Sequence, residues 1–381
     1  MSMRKPVLLL AILIVSIAVA APTFAQERPS IPEWLTNDGR FATLLSAVEA
    51  AGLSDALSDD GPITVLAPTD DAFAAALADL GMTADELMAD TETLTSILQY
   101  HIIPDRYFFR DLTSGPTLDT ALEGEAVTFS LEDGVFTATG VNILDTDNLA
   151  SNGIVHVLED GVLLPSAVQE AAAANRAHIR VAPFSPDAGS VDVYLNGQLS
   201  ALTEVTFGTV SDWIEIPAGT LNVSFAPTGG TTSRGTGNSI AAGSWVTVAA
   251  MGTAEAQRMM VRFIVEDFSP IREGVARVSF LHAVEGAPVV DILANGELLV
   301  ATLGYPRSLG NNDGFDTREV GAATYDLQLV PTGATEPVLL ERTDVPLVSG
   351  MNYLIAATGT PTNMQLVIVP TDVAAMMAPA S

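Results

Sequence analysis

The sequence predicts an α+β domain followed by two all-β sandwiches, and three observations carry that prediction. The stretch Ile63 to Phe73, ITVLAPTDDAF, changes its apolar period in mid-run. The composition turns from helix-favouring to strand-favouring after the alanine-rich segment Ser166 to Arg176, SAVQEAAAANR. Beyond that point the chain repeats itself.

With 381 residues the chain exceeds one typical core, and a hydrophobic content of 48% with a mean hydropathy of +0.34 excludes a disordered polymer. Arg4 and Lys5 precede an apolar run from Val7 to Ala21, and Thr23-Phe24-Ala25 then supplies small residues around a cleavage point. This succession predicts a secretory leader over residues 1–25. An uncleaved anchor is the competing reading, but the run falls short of the ~20 residues that span a bilayer. No later stretch is long and apolar enough to span.

The first domain reads in order as follows. Phe41, Leu44, Leu45 and Val48 recur at helical spacing and predict an amphipathic helix ending at Gly52. Ile63, Val65 and Ala67 alternate as a strand does, whereas Ala72, Phe73, Ala76 and Leu77 recur as a helix face does. Pro68 stops the strand, Thr69 is placed to cap the helix, and Asp70 with Asp71 puts negative charge on its first turn. Thr83-Ala84-Asp85-Glu86 is a capping box. A helix from about Thr91 carries Leu94, Ile97, Leu98 and His101 on one face, so His101 is expected as a buried imidazole bonded to nearby backbone. Tyr100 is read in the same way. From Ala126 the pattern becomes strands, with Glu132-Asp133-Gly134 as a turn, and His156 alternates with Ile154 and Leu158.

The second half contains the repeat. Ala177 to Leu199 aligns with Ala276 to Leu298 so that Asp192, Asn196 and Gly197 fall on Asp291, Asn295 and Gly296. Asn-Gly between alternating apolar runs predicts a hairpin, because a type I′ turn needs positive φ at both central residues. Ala226-Pro227-Thr228-Gly229 matches Val330-Pro331-Thr332-Gly333, and Ala249 to Gly252 matches Ala356 to Gly359. Each copy reads as about seven short strands, the spacing of an immunoglobulin-like sandwich without its cysteine pair.

Three motifs in one order give the first half a family resemblance. ITVLAPTDDAF, the Tyr100-His101 of LQYHIIP and Asn152 to Pro165, NGIVHVLEDGVLLP, resemble the signature segments of the fasciclin domain. That resemblance implies an α+β fasciclin-like wedge with helices laid against β-sheet, over about residues 31–165. Its motif residues are Thr69, Asp70, Phe73, Tyr100, His101, Asn152, Gly153 and His156, expected to serve mainly the scaffold. VDVYLNG, FGTVSDWIEIPAGTLNV and ARVSFLHA resemble a bacterial secreted domain of unknown function (DUF4397) that occurs in tandem. The expected layout is a leader 1–25, a fasciclin domain 31–165, a helical spacer 166–176, β-domains 177–268 and 276–371, and a tail 372–381.

The chemistry available is narrow. With no cysteine, disulfides and thiolate metal sites are excluded. Four histidines without a nucleophile, zinc or phosphate-loop motif argue against an enzyme and against a cofactor. Asn311, Asp313 and Asp316 offer oxygen ligands, but at a spacing foreign to the twelve-residue calcium loop, so a polar turn is expected. Loss of the leader takes the formal charge from −30 to −32 and removes Lys5, the only lysine. Such a surface repels nucleic acid and anionic lipid and leaves divalent cations as possible bridges between acidic faces. The reading that follows is a secreted, non-catalytic adhesion or matrix protein whose partner is an extracellular protein or surface glycan. The alternative, which some fasciclin relatives imply, is an extracellular carrier of an apolar pigment or lipid in the fasciclin domain.

Overall fold

The protein's structure, a computed structural model, describes residues 28–59, 61–230, 234–253, 259–306 and 314–376. The expected leader, Asn311 and Asp313 lie outside the described residues. Contacts divide the chain into two compact units, Met1–Phe73 with Thr95–Leu163 and Ala74–Leu94 with Leu164–Ser381. Segment 74–94 contributes only Leu87 and Leu94 as buried side chains, so little apolar burial assigns it to the unit expected from the motifs.

The chain enters through α1 (Ile31–Asp38), α2 (Ala42–Ala50) and α3 (Ser54–Ser58). Apolar periodicity passes over α1, although Ser30 and Glu33 form a reciprocal capping box and Pro32 opens its first turn. Strand β1 (Ile63–Pro68) runs straight into α4 (Asp70–Leu80), as the change of period predicts. Next come α5 (Ala84–Ala89), capped by Thr83 and Glu86 as expected, and α6 (Thr91–Tyr100). After α6 the chain continues with β2 (Ile102–Pro104), α7 (Phe109–Leu112), β3 (Thr117–Asp119), β4 (Ala126–Glu132), β5 (Val135–Ala138), β6 (Val141–Leu149) and β7 (Gly153–Leu158).

These strands form one sheet in the order β2-β1-β7-β6-β5-β4-β3. Strands β1 and β7 pair in parallel from Ile63 with Gly153 to Pro68 with Leu158, so two signature segments far apart in sequence become neighbours. Both are buried almost throughout, the pattern of strands covered on two faces. The core under the sheet includes Leu66, Tyr100, Ile103, Phe129 and Leu158. Asp133 and Gly134 take φ of 50° and 85° between the paired Glu132 and Val135, which is the two-residue hairpin turn of the β4–β5 connection.

In the second unit α8 (Ser166–Ala174) has no buried side chain and rests on alanine propensity. It stops short of the expected Arg176, because that residue already opens β8 (Arg176–Pro183). The first copy continues with β9 (Val191–Leu195), β10 (Gln198–Leu199), β11 (Ile214–Pro217), β12 (Gly219–Pro227), β13 (Arg234–Ile240), β14 (Trp245–Met251) and β15 (Met260–Glu266). The second copy comprises β16 (Val275–His282), β17 (Val290–Ala294), β18 (Glu297–Leu303), β19 (Phe315–Gly321), β20 (Ala323–Pro331), β21 (Leu340–Leu347), β22 (Met351–Thr360) and β23 (Asn363–Asp372). Among the described residues each copy thus has eight strands, against the expected seven or so. The sheets are β10-β9-β12-β13 with β11-β8-β14-β15, and β18-β17-β20-β21 with β19-β16-β22-β23, the same order strand for strand.

In both copies the first strand is interior and pairs in parallel with the seventh, β8 with β14 and β16 with β22. Each sandwich has its own core, around Val193, Val223 and Val248 in the first and Ile292, Leu329 and Ile355 in the second. A further cluster belongs to neither alone. Ala182, Phe184, Ala249, Met251 and Ile264 of the first copy join Leu281, Ala283, Leu354 and Ala356 of the second. The copies are therefore packed face to face through the sheets that hold their first strands.

Candidate interaction site

The fasciclin signature residues converge around the β1–β7 pair. Thr69 Oγ1 accepts from Ala72 N–H at 3.2 Å, the N-cap bond expected for α4. Asp70 does more than charge that helix, since its carboxylate accepts from Thr43 N–H at 2.7 Å and Ala42 N–H at 3.3 Å. It thereby closes the start of α2, where Phe41 has no capping side chain. Phe73 is buried.

The two histidines have defined tautomers. Leu163 N–H donates to His101 Nε2 at 3.0 Å, so Nδ1 carries the proton and donates to Ile97 O at 2.7 Å. Burial pulls the His101 pKa down to about 4, opposed only in part by the bond to Ile97. Asp147 N–H donates to His156 Nδ1 at 3.3 Å, leaving Nε2–H to donate to Tyr107 O at 3.0 Å. Burial lowers the His156 pKa as well, against the bond to Tyr107 and the charges of Asp147 and Asp145. Both rings are neutral near pH 7 and both nitrogens of each are occupied by main chain. Neither retains a lone pair for a metal or for proton abstraction.

The other motif residues also spend their polar atoms on backbone. Tyr100 OH donates to Ala126 O at 3.1 Å, and burial raises its pKa. Asn152 Nδ2 donates to Leu57 O at 2.8 Å and Asp59 O at 3.0 Å, while Oδ1 accepts from Ile31 N–H at 3.0 Å. One side chain so ties α1, α3 and the start of β7 together. At Gly153 a Cβ would collide with the Ile63 carbonyl oxygen across the parallel pair, which is why no side chain is tolerated there. Among the described residues no group of three or more His, Cys, Asp or Glu is arranged to hold a metal. Asp316 pairs with Arg318 at 2.9 Å.

The residues matched in the repeat behave alike. Asp192 accepts from Glu204 N–H and Gly229 N–H, both at 2.9 Å, and Asp291 accepts from Thr302 N–H at 2.7 Å and Gly333 N–H at 2.8 Å. Asn196 Oδ1 and Asn295 Oδ1 each accept one cross-strand N–H at 2.8 Å, from Asn222 and Asp326.

Sequence reasoning missed a polar and aromatic cluster where the copies meet. Arg180 Nη2 donates to both oxygens of Glu266, at 2.7 and 3.0 Å, and Nε donates to Thr247 Oγ1 at 2.8 Å. Thr247 Oγ1 also bonds Glu266. From the second copy, Thr371 Oγ1 accepts from Arg180 Nη1 at 3.4 Å and Asn352 Nδ2 donates to Glu266 at 3.3 Å. The Arg180 guanidinium lies 4.5 Å from the Trp213 ring centre, and His178 stacks on Trp245 at 3.7 Å. The available signal was the placement of His178 and Arg180 at alternate positions of one strand, with Trp245 and Thr247 alternating on another.

The fasciclin domain family matches residues 39–165, and the domain of unknown function DUF4397 matches residues 177–292 and 276–379. The chain belongs to the fasciclin-domain proteins and carries DUF4397 in tandem in its second half. It is 37% identical to Protein sll1483 of Synechocystis over 149 residues, 39% of this chain and 81% of that protein. It is 30% identical to human periostin over 141 residues, 36% of this chain and 16% of periostin. A solved structure of a fasciclin domain pair from the insect cell adhesion molecule Fasciclin I is 19% identical, covering 37% of this chain and 53% of that one with a TM-score of 0.33.

Proposed function

We propose that the protein is a secreted, non-catalytic adhesion or matrix interaction protein, in which the fasciclin domain and the paired β-sandwiches present surfaces to an extracellular protein or a surface glycan. The observation that carries the non-catalytic half is the state of the signature residues. Tyr100, His101, Asn152 and His156 all have their polar atoms bonded to main chain, so the residues best suited to chemistry serve the scaffold. The adhesion half is supported by membership of the fasciclin-domain proteins. A formal charge of −30 makes like-charged partners repel, so attachment is expected to depend on salt and on divalent cations that screen or bridge acidic faces. Among the described residues no helix is long and apolar enough to cross a membrane.

The test is attachment of the purified mature chain to cells and to matrix-coated surfaces, with and without chelator and across a salt series. Saturable attachment that changes with cation supports the reading. Absence of attachment to any such surface, with a stoichiometric pigment in the fasciclin domain, overturns it in favour of the carrier.

A further inference from the structure

The second β-copy carries an open groove of about 440 Å³, within the roughly 300–1,000 Å³ of small-molecule sites. Strands β21 and β23 are the edges of the two sheets of this sandwich, and the groove is lined from both. Val345 and Tyr353, both buried, supply its floor, and Met351 and Ile368 its apolar sides. The Tyr353 hydroxyl accepts from Val348 N–H at 2.9 Å, and its ring adds apolar surface to the groove. Val348, at 54% exposure, leaves further apolar area open to solvent.

Two features select the occupant. Pro346 on β21 and Pro370 on β23 line the groove and have no N–H to offer, which works against an added peptide strand and suits a chain that needs no hydrogen bonds along its length. The second feature is Arg342 at the rim. Arg40, Arg110, Arg180, Arg272, Arg277 and Arg318 each pair with a carboxylate of the chain, as expected where acidic residues outnumber basic ones. Arg342, like Arg28, Arg106 and Arg176, pairs with none among the described residues, and of these four it alone lines the groove, together with Asp344. Its guanidinium fork is free to bind an external carboxylate. Asp344 lowers the local positive potential, which favours a singly charged head over a phosphate dianion. In the first copy the corresponding edge, β13, is the exposed polar run Gly235 to Ser239 and offers no such wall.

From these observations we infer that the second copy binds a single-chain amphiphile with a carboxylate head, a long-chain fatty acid, its hydrocarbon between β21 and β23 and its head on Arg342. The inference does not depend on the adhesion reading. Its test is calorimetric titration of the full mature chain with laurate and with dodecanol, and co-sedimentation with phosphatidylcholine vesicles. The expected result is saturable binding of one laurate per chain and weaker binding of dodecanol. Arg342→Gln should weaken laurate roughly two- to fivefold, the range of an exposed ion pair, and leave dodecanol unchanged. Val348→Glu, at an exposed position that the fold tolerates, should weaken both ligands. Attachment to cells should be the same in all three chains. No laurate binding, native laurate affinity in either variant, dodecanol bound as tightly as laurate, or co-sedimentation with vesicles in place of laurate binding would each overturn it.

Discussion

The two β-copies share strand order, parallel pairing and hairpin turns, yet differ where they touch each other. Pairing registers make the equivalences plain. Trp245 lies beside His178 and Glu266 in the first copy, and Asn352 lies beside Arg277 and Thr371 in the second. Arg180 and Thr247 correspond in the same way to Ser279 and Leu354. The first copy thus supplies both charges of the buried pair, and the second supplies neutral groups, Asn352 and Thr371, that bond to those charges. Had both kept an arginine and a glutamate there, four charges would have to be desolvated on one interface. Inside each copy the opposite holds. Asp192 and Asp291, like Asn196 and Asn295, are identical because each satisfies the same backbone N–H groups of its own sandwich. Residues that serve their own fold stay alike, and residues that serve the contact become complementary.

The largest test of this contrast is at Glu266, fully buried with Arg180. Glu266→Ala leaves an uncompensated guanidinium and should destabilise the second unit by about 3–5 kcal/mol. The double change Arg180→Met with Glu266→Leu should recover most of that loss. Denaturant unfolding of the three chains measures it. A single change that cost no more than the double would mean that the pair is not desolvated.

Next in size is the comparison with a buried polar group of the first unit that serves its own chain, His101. Its unfolded pKa is ~6.5 and its folded pKa about 4, so the unfolded chain takes up the proton first as pH falls. The stability contributed by the neutral ring is whole above pH ~6.5 and lost progressively down to about pH 4, in all about 3 kcal/mol. His101→Ala should be less stable at pH 7, with Leu163 N–H and Ile97 O left without partners, and should show a flatter decline between those pH values. A slope identical to that of the native chain would assign the acid sensitivity elsewhere.

Asp192→Asn and Asp291→Asn should lower the unfolding midpoint of the second unit by similar amounts. Backbone bonds from Glu204 and Gly229 hold the Asp192 pKa below the usual carboxylate range. At Asp291 burial pushes the pKa up, but bonds from Gly333 and Thr302 outweigh it and the result is also lowered. Both contributions are therefore present above pH ~4 and lost as the pH falls through the lowered values. Unequal effects of the two substitutions would break the claim that the matched residues do equivalent jobs.

Much of this was legible in the sequence, and for local reasons. The Asn-Gly turns announce themselves because Asn196 and Gly197 sit at φ of 50° and 86°, and Asn295 and Gly296 at 52° and 80°. The change of period at Pro68 is likewise a property of adjacent residues. Helix α1 was hidden because its eight residues bury only Ile31 and Leu35, too few for periodicity to register. The site between the copies was hidden for a different reason. Arg180 and Thr371 are 191 positions apart, and nothing local to either predicts that two sheets will bring them together. Nor does sequence show that His101 and His156 are satisfied on both nitrogens, because the partners Leu163 and Tyr107 are backbone groups of remote segments.

The smallest expected effect concerns a match of another kind. Leu199 and Leu298 occupy the same place after the Asn-Gly turns of the two copies, yet they are 55% and 60% exposed. Each sits on an outer strand, Leu199 opposite Tyr194 and Leu298 opposite Leu293. More than half of each residue stays in water on folding, so burial provides less than half of the roughly 1.5–3 kcal/mol that an enclosed leucine gains. Leu199→Ser and Leu298→Ser should each cost no more than about 1 kcal/mol, read by thermal unfolding. In contrast with the matched aspartates, these leucines would then be alike without serving either sandwich. A loss well above that figure in one copy alone would show that its leucine is covered in solution, and would place an apolar contact on the outer face of that copy.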